Sequence, residues 1–195
     1  MTDVPPIEES WERLEAWLAA HAPASSARLN PPASPDAIDD AQRQMAIALP
    51  TDLVSSLLRH NGASEFDANG TFQWGARFLP GSHRLLAVQE IVTRRQGLNE
   101  VLGQFDETMV GSWWHPEWIP FAHFVAGDDL VIDQRLGPDL GTVGGFMNEE
   151  GLRPRRWPSL AAMITDVADA VERQRQIAYF RPHVKDGALE WEIVR

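Results

Sequence analysis

Histidine and carboxylate residues in the middle of the chain are the first groups to test for metal-binding or acid–base chemistry. His115, His123, Asp128 and Asp133 carry imidazole and carboxylate groups, which are ordinary metal ligands. However, no two of the six histidines stand three or four residues apart on a predicted helix, which is the spacing of helical zinc ligands. Side-chain alternation along predicted strands separates the four residues, and turn or surface roles explain them more simply. We therefore predict no metal site.

Other patterns that could support catalysis are also missing from the sequence. The run from residue 137 to residue 145 is rich in glycine, but no Gly-Lys-Ser/Thr follows it, so turn glycines are a better interpretation than a phosphate loop. The chain has no cysteine nucleophile and no Gly-x-Ser-x-Gly motif, and Ser55 and Ser56 lie within a predicted helix. The sequence predicts neither catalytic residues nor a cofactor, and so a protein that is not an enzyme.

Tryptophan side chains are the most prominent candidates for binding. Trp74, Trp113 and Trp114 could line a platform for a sugar or a peptide, because tryptophan offers a large face and is enriched at binding hot spots. The segment Trp113-Trp114-His115 lies on a predicted loop beside a strand, so packing and binding both stay open for it. The tryptophans in strongly patterned segments are predicted to pack in the core: Trp11, Trp118 and Trp157.

The charge of the chain restricts the class of partner. Its 195 residues include 28 acidic and 17 basic ones, and the formal net charge is −11. This charge argues against a nucleic acid ligand, because binding to DNA or RNA draws its main affinity from Lys and Arg contacts to phosphate. An acidic surface favours a cationic protein partner by raising the encounter rate. Solubility alone would explain the same charge, so both interpretations stay open.

The sequence shows no signal for export or membrane insertion. Its first ten residues are acidic and polar where a signal peptide would be basic and then apolar, and no run of 18 apolar residues occurs. The absence of cysteine excludes a disulfide framework. These features predict a cytoplasmic protein that does not bind a membrane.

A sheet in the middle of the chain must position these candidate residues. The stretch from residue 113 to residue 133 is typical of two strands joined at Gly127-Asp128, with apolar side chains at every second position, as at Ile119 and Phe121. Pro120 cannot donate a ladder hydrogen bond, so the first strand is predicted to lie at an edge or to carry a bulge there. The second strand is predicted to be covered on both faces.

Helical periodicity predicts helices before and after this sheet. The predicted ranges are residues 7–20, 35–48, 52–59, 85–102 and 158–174. Ser34-Pro35 is an N-cap followed by proline at the first helical position, and His60-Asn61-Gly62 is typical of a helix end. In the third helix, Leu53, Leu57 and Leu58 are predicted to face inward.

Further strands complete the predicted fold. One or two short strands are predicted within residues 66–80, and one at residues 142–146 before the exposed turn Glu149-Glu150-Gly151. A hairpin is predicted from residues 177–184 and 188–194, because Asp186-Gly187 between two strand-like runs is a strong hairpin signal. Helices, then strands, then a helix and a hairpin describe a single α+β domain over residues 1–195.

Several short motifs follow one another in a distinctive order. They are Leu49-Pro50-x-Asp52-Leu53, Arg59-His60-Asn61-Gly62, Trp118-Ile119-Pro120-Phe121, Gly127-Asp128-x-Leu130-x-Ile132-Asp133 and Gly141-x-Val143, preceded by the helical Trp11. Their order and spacing resemble the SUKH superfamily, and more narrowly its Smi/Knr branch, which is named for a fungal regulator of cell-wall assembly. The resemblance covers about residues 11–171 and leaves the hairpin at about 177–194 outside it.

The resemblance implies a fold and a class of function. The implied fold is α+β, with a curved, mostly antiparallel sheet and helices packed on one side. The implied function is binding without catalysis: many bacterial members resemble immunity proteins that bind and block a cognate toxin domain, and the fungal member is a regulatory interaction hub. The matched positions have structural roles, and no catalytic residue is implied.

Two functions therefore compete. The first is an immunity protein that neutralises a bacterial toxin by stoichiometric binding to a cationic toxin domain, and the second is a regulatory module that binds a housekeeping protein. In either case the predicted contact surface combines a loop with acidic turns. Its residues are Trp113, Trp114, His115, Asp128, Asp129, Glu149 and Glu150.

Overall fold

The computed structural model describes residues 4–152 and 156–194, and it confirms the predicted α+β class. The helices in these residues are α1 (Ile7–His21), α2 (Pro23–Ser26), α3 (Pro35–Met45), α4 (Thr51–Arg59), α5 (Val88–Leu102) and α6 (Leu160–Arg173). The strands are β1 (Arg84–Leu85), β2 (Trp118–His123), β3 (Asp129–Asp133), β4 (Val143–Met147), β5 (Gly151–Leu152), β6 (Phe180–Lys185) and β7 (Ala188–Ile193). None of the helices in the described residues is long and apolar enough to cross a membrane.

The apolar face of α1 packs against α6. Trp11, Leu14 and Leu18 recur at helical spacing and are buried, which confirms the predicted amphipathic helix. A polar contact crosses the same interface, where the hydroxyl oxygens of Ser10 and Thr165 lie 2.8 Å apart across a separation of 155 residues in the sequence. The two helices therefore form one side of the core although α2 to α5 and the whole main sheet lie between them in the chain.

Local capping signals determine where α3 begins and ends. The Ser34 hydroxyl accepts a hydrogen bond from the backbone N–H of Ala37 at 3.2 Å, and Pro35 is the first helical residue, as predicted. The helix ends at Met45, earlier than predicted, because Ala46 adopts the left-handed conformation with φ of 50°.

Two details of the predicted helices are wrong. Leu58 is exposed, whereas Leu53 and Leu57 are buried. Because successive residues of a helix are about 100° apart around its axis, Leu57 and Leu58 cannot share a narrow buried face. The helix predicted from residue 85 begins at Val88, since the chain before it forms β1.

The main sheet is antiparallel, with the strand order β1-β2-β3-β4-β5. Strands β2 and β3 form the hairpin predicted around Gly127-Asp128. The pairing register shifts between Pro120 and Ala122, so the proline lies at a β-bulge, which was one of the two predicted alternatives. The other alternative is wrong, because β1 also pairs with β2 and makes β2 an inner strand.

Both faces of this sheet are covered. The side chains of one face join the main core that the helices form. Those of the other face form a smaller core under the loop that precedes β2. The smaller core consists of Leu98, Leu102, Trp113, Trp114, Trp118, Val131 and Phe146. Every residue of β3 is buried, which confirms the prediction for that strand.

Residues 66–80 form a loop, and the strands predicted there are absent from this described segment. An isolated bridge joins Phe66 to Phe72, and Trp74–Ala76 makes one turn of 3-10 helix. The carboxylate of Asp67 accepts hydrogen bonds from two backbone N–H groups of the loop, at 2.9 and 3.0 Å. Such side-chain hydrogen bonds turn the chain back on itself and compete with strand formation.

The hairpin of β6 and β7 forms a separate two-stranded sheet, as predicted. Asp186 and Gly187, with φ of 52° and 74°, make the two-residue turn between Lys185 and Ala188. The turn lies against α2, because the carbonyl of Gly187 accepts a hydrogen bond from the backbone N–H of Ala24 at 2.8 Å.

Candidate protein-binding surfaces

Three of the predicted contact residues meet at one end of the main sheet. Asp128 belongs to the turn between β2 and β3, and Glu149 and Glu150 belong to the turn between β4 and β5. The two turns are adjacent, because the backbone N–H of Asn148 donates to Asp128 Oδ1 at 3.3 Å. The two glutamates are exposed and Asp128 is half-buried. We call Asp128, Glu149 and Glu150 the acidic end.

Trp113 is buried and forms a hydrogen bond with the β4–β5 turn of the acidic end. Its side chain is 7% exposed, and its indole N–H donates to the carbonyl of Asn148 at 2.7 Å, which holds the β4–β5 turn in place. Trp114 is fully buried and donates to Asn99 Oδ1 at 2.8 Å. From the sequence, both a packing role and a binding role were possible for Trp113 and Trp114. Their burial means that neither side chain reaches a partner in this conformation.

Asp129 lies beside the acidic end but does not contribute to its surface. The side chain is fully buried, and its carboxylate accepts hydrogen bonds from Arg94 Nε and from His123 Nδ1, both at 2.8 Å. Arg94 also donates to the carbonyl of Gly127 at 2.7 Å. These contacts link α5 to the β2–β3 turn. Asp129 is therefore a structural residue rather than one that a partner could contact.

His115 lies at the far end of the β2–β3 hairpin, away from the acidic end. Its ring contacts Trp118, the first residue of β2, at a centroid distance of 6.0 Å. The Nδ1 atom accepts a hydrogen bond from the backbone N–H of Glu117 at 3.1 Å. Burial, and then the positive charge of Arg135, lower the pKa of His115, so the neutral ring is favoured. His115 and the acidic end cannot form one compact contact patch.

The four residues considered as metal ligands do not converge. His123 and Asp128 lie at the turn end of the β2–β3 hairpin, whereas Asp133 pairs with the first residue of β2 at the opposite end, next to His115. Among residues 4–152 and 156–194, no group of three or more histidine, aspartate or glutamate side chains has the arrangement of a metal site.

A second surface is formed by the loop before β1, which presents aromatic side chains to solvent. Phe66, Phe72 and Trp74 are 57%, 37% and 64% exposed. The ring of Phe72 meets the rings of Phe66 and Trp74 edge to face, at centroid distances of 5.9 and 5.1 Å. We call these three residues the aromatic strip. Of the three tryptophans predicted as a binding platform, Trp74 is the one that the structure leaves accessible.

A groove of about 620 Å³ separates the aromatic strip from the β6–β7 hairpin. Phe72 and Trp74 line one side of this groove, and Lys185, Asp186 and Glu190 line the other. The two sides are far apart in the sequence, so the groove could not be predicted from a local pattern. One or two short strands were predicted within residues 66–80, and the turn-forming residues Asp67, Asn69 and Gly70 are the signal that could have indicated a loop there.

Arg77 lies under the aromatic strip and also lines the groove. Its side chain is 5% exposed, and its Nη2 atom forms an ion pair with Glu65 at 2.7 Å. The guanidinium carbon lies 5.2 Å from the ring centroid of Phe72 and 5.6 Å from that of Trp74. Within the described part of the chain, Nε and Nη1 have no hydrogen-bond acceptor. Buried donors of this kind are uncommon in folded proteins.

His83 gives the fold a specific sensitivity to acid. Burial lowers its pKa to about 4, below the value of about 6.5 that it has in an unfolded chain. The unfolded chain binds more protons between these values, so the stabilisation is complete above about pH 6.5 and is lost as the pH falls toward 4. We expect this residue alone to remove about 3 kcal/mol from the free energy of unfolding across that range.

A His83→Gln variant isolates this effect, because glutamine does not titrate and can still donate to the carbonyl of Pro80, as His83 Nδ1 does at 2.9 Å. Urea unfolding of both proteins can be measured at several pH values between 7 and 4. The free energy of unfolding should fall less steeply with decreasing pH for the variant than for the unmodified chain. Parallel curves would mean that His83 does not account for the acid sensitivity.

The architecture and the two surfaces define a mixed α+β domain with an acidic end and an exposed aromatic strip. The chain belongs to the SMI1/KNR4 family (SUKH-1), whose family model matches residues 32–166. This confirms the resemblance found in the sequence motifs. The helix α1 and the β6–β7 hairpin lie outside the matched region, although α1 packs on α6 within the same core.

Two fungal relatives are similar over most of the chain. A KNR4/SMI1 homolog from Yarrowia lipolytica is 22% identical over 219 aligned positions, which cover 85% of this chain and 31% of the relative. The cell wall biosynthesis/cell cycle regulator smi1 of Schizosaccharomyces pombe is 23% identical over 155 positions, which cover 69% of this chain and 29% of the relative. The chain thus spans about a third of the length of either relative.

Proposed function

We propose that this chain is a protein-binding domain without catalytic activity, which neutralises a cognate bacterial toxin by stoichiometric binding. One structural observation carries the proposal: Asp128, Glu149 and Glu150, from two separate turns, come together at one accessible end of the sheet. Membership of the SMI1/KNR4 family and the net charge of −11 support it.

The acidic end would attract a toxin domain of opposite charge. Many toxin domains are basic nucleases, and an acidic inhibitor can present the charge of their phosphate substrate while it blocks access to the site. Charge complementarity raises the association rate and disfavours partners of the wrong charge. The hydrogen bonds from Trp113 to Asn148 and from Asn148 to Asp128 hold the turns before binding, so less ordering is needed when the partner arrives.

Removal of the three charges of the acidic end tests this proposal. We expect the triple variant Asp128→Asn, Glu149→Gln, Glu150→Gln to bind its toxin about 10-fold or more weakly, with most of the loss in the association rate. Association kinetics with the purified toxin domain at low and moderate salt would measure both the rate and its salt dependence.

A matched control removes three exposed acids elsewhere on the surface. Glu9→Gln, Asp36→Asn and Asp39→Asn change the net charge by the same amount and lie on α1 and α3, which contribute to neither the β2–β3 turn nor the β4–β5 turn. If both triple variants bind the toxin equally weakly, the effect comes from the total charge of the chain and not from the acidic end.

Coexpression tests the toxin-neutralising role itself. The probe is a toxin gene encoded next to the gene for this chain. Cells that make both proteins should survive, and cells that make the toxin alone should not. If the toxin kills equally in both cases, this chain is not the immunity protein of that pair.

A second candidate function is a regulatory module that binds a housekeeping protein. The relative from Schizosaccharomyces pombe is named as a regulator of cell wall biosynthesis and the cell cycle, and this chain aligns with less than a third of it. Affinity purification that recovers a partner other than a toxin, from a genome without a neighbouring toxin gene, would favour this second function.

A further inference from the structure

We propose that the groove beside the aromatic strip binds an extended peptide segment of a protein partner. The segment carries an apolar side chain, which packs on Trp74 and Phe72, next to a lysine or arginine, which lies near Asp186 and Glu190. A main-chain carbonyl of the segment accepts a hydrogen bond from Arg77. This inference rests on the proposed protein-binding function and gives it a second contact surface with a defined ligand chemistry.

The aromatic strip supplies the apolar part of this surface. Its three rings are in edge-to-face contact, so they form one continuous apolar area rather than scattered exposed residues. Contiguous exposed apolar area marks interaction sites on soluble proteins, and tryptophan is enriched among the residues that dominate binding energy. Because Trp74 is mainly exposed, covering it with a partner removes more apolar area from water than covering any other tryptophan of the chain.

Arg77 supplies the polar part. The Nη2 atom is paired with Glu65, Nε and Nη1 have no acceptor, and the guanidinium carbon lies 5.2 and 5.6 Å from the ring centroids of Phe72 and Trp74. The ring faces stabilise the positive charge but do not replace an oxygen acceptor. For a ligand to reach these nitrogens, the ring of Trp74, which is 64% exposed, must shift while it stays in contact with the apolar side chain of the segment. A carbonyl oxygen that enters there satisfies a donor that is otherwise buried and unpaired.

The opposite side of the groove determines the charge of the ligand. It carries two carboxylates, Asp186 and Glu190, against one ammonium group, Lys185, while the positive charge of Arg77 on the other side is paired with Glu65. The whole chain is also strongly acidic. A cationic segment is therefore attracted, whereas an acidic peptide or an anionic membrane surface is repelled. A groove of about 620 Å³ falls within the usual size range of ligand sites.

Selection from a phage-displayed library of random dodecapeptides tests the proposal on the full chain. We expect enriched peptides to combine an apolar residue with a neighbouring lysine or arginine. Fluorescence anisotropy with the labelled synthetic peptides should show binding about 10-fold weaker to a Trp74→Ala variant. An Arg77→Met variant should also bind more weakly, provided that its unfolding curve shows that it is folded.

Phe105→Ala is the matched control, because Phe105 is an aromatic residue that is 50% exposed and lies outside the groove. Its binding should stay within about 2-fold of the unmodified chain. The proposal is overturned if no peptide is enriched above an uncoated support, if the enriched peptides are acidic, or if Trp74→Ala binds them unchanged. Trp74-dependent sedimentation with phosphatidylcholine–phosphatidylglycerol vesicles, without peptide binding, would overturn it in favour of a lipid surface.

The outcomes for this groove and for the toxin-neutralising function can be separated. A toxin that is neutralised equally by the Trp74→Ala variant, together with a failed peptide selection, refutes the groove and leaves the acidic end as the contact surface. Peptides that bind at Trp74 in a chain that protects against no toxin refute the immunity function and leave the groove as the site of a different protein partner.

Discussion

We expect Asp129→Ala to lower the free energy of unfolding by about 3 kcal/mol, because it removes the acceptor of two charge-assisted hydrogen bonds at a fully buried position. Arg94 and His123 would remain next to the vacated site with their donors unpaired. Since both are partly exposed, water can reach them, and the expected loss lies at the lower end of the range for a broken buried pair. Denaturant unfolding at neutral pH measures the change.

The neighbouring Asp128 provides the matched control. It carries the same side chain but is half-buried and accepts one longer hydrogen bond, at 3.3 Å. Asp128→Ala should change the free energy of unfolding by about 0.5 kcal/mol or less. A similar loss for both variants would show that the network around Asp129 does not hold α5 against the turn. The pair also separates stability from binding, because Asp128 is part of the acidic end and Asp129 is not.

Gly62→Ala should lower the free energy of unfolding by about 3 to 4 kcal/mol or prevent folding. Gly62 has φ of 72°, where an L side chain is strained by about 1 to 2 kcal/mol. An added Cβ atom would also lie 2.4 Å from the backbone nitrogen of Ala87 and 2.6 Å from the carbonyl carbon of Leu86. Backbone atoms cannot move aside in the way that a flexible side chain does, so overpacking adds about 1 to 3 kcal/mol.

A Gly70→Ala variant separates the effect of backbone strain from the effect of close packing. Gly70 has φ of 77°, almost the same as Gly62, but an added Cβ atom would meet no other atom within 4 Å. The free energy of unfolding of the Gly70→Ala variant should fall by about 1 to 2 kcal/mol, because of the strained backbone conformation alone. Thermal or denaturant unfolding of the two variants would measure the difference, and equal losses would exclude close packing at residue 62 as a cause.

Local signals were enough to predict most elements of the fold. The cap at Ser34-Pro35, the period-two pattern around Ile119 and the Asp186-Gly187 turn act over a few residues, and each is found where it was predicted. The order of the short motifs was enough to identify the family. Predictions failed where a side-chain hydrogen bond redirected the backbone, as Asp67 does in the loop that was predicted to be a strand.

The candidate surfaces were harder to predict, because exposure depends on contacts between distant parts of the chain. Trp113 and Trp114 are buried because the loop before β2 lies across the second face of the sheet, which no periodicity in that loop indicates. Asp129 is paired with Arg94, 35 residues away. The site beside Arg77 exists because the β6–β7 hairpin, more than 100 residues later in the chain, lies opposite the aromatic strip. Turn signals did place Glu149 and Glu150 on the surface, whereas Asp129, which was predicted to lie there with Asp128, is buried.

The packing of α1 on α6 has a consequence for synthesis on the ribosome. The contact between Ser10 and Thr165 joins residues separated by 155 positions. Trp11 also contacts α4, where its indole N–H donates to Ser56, but the most extensive contact of α1 is with α6. A nascent chain therefore carries an amphipathic helix with a partly uncovered face while the residues between α1 and α6 are synthesised. At about 5 to 20 residues per second, that interval lasts on the order of 10 seconds or more. During this time the helix is a natural substrate for chaperones, and slow translation near α6 should increase aggregation of the newly made protein.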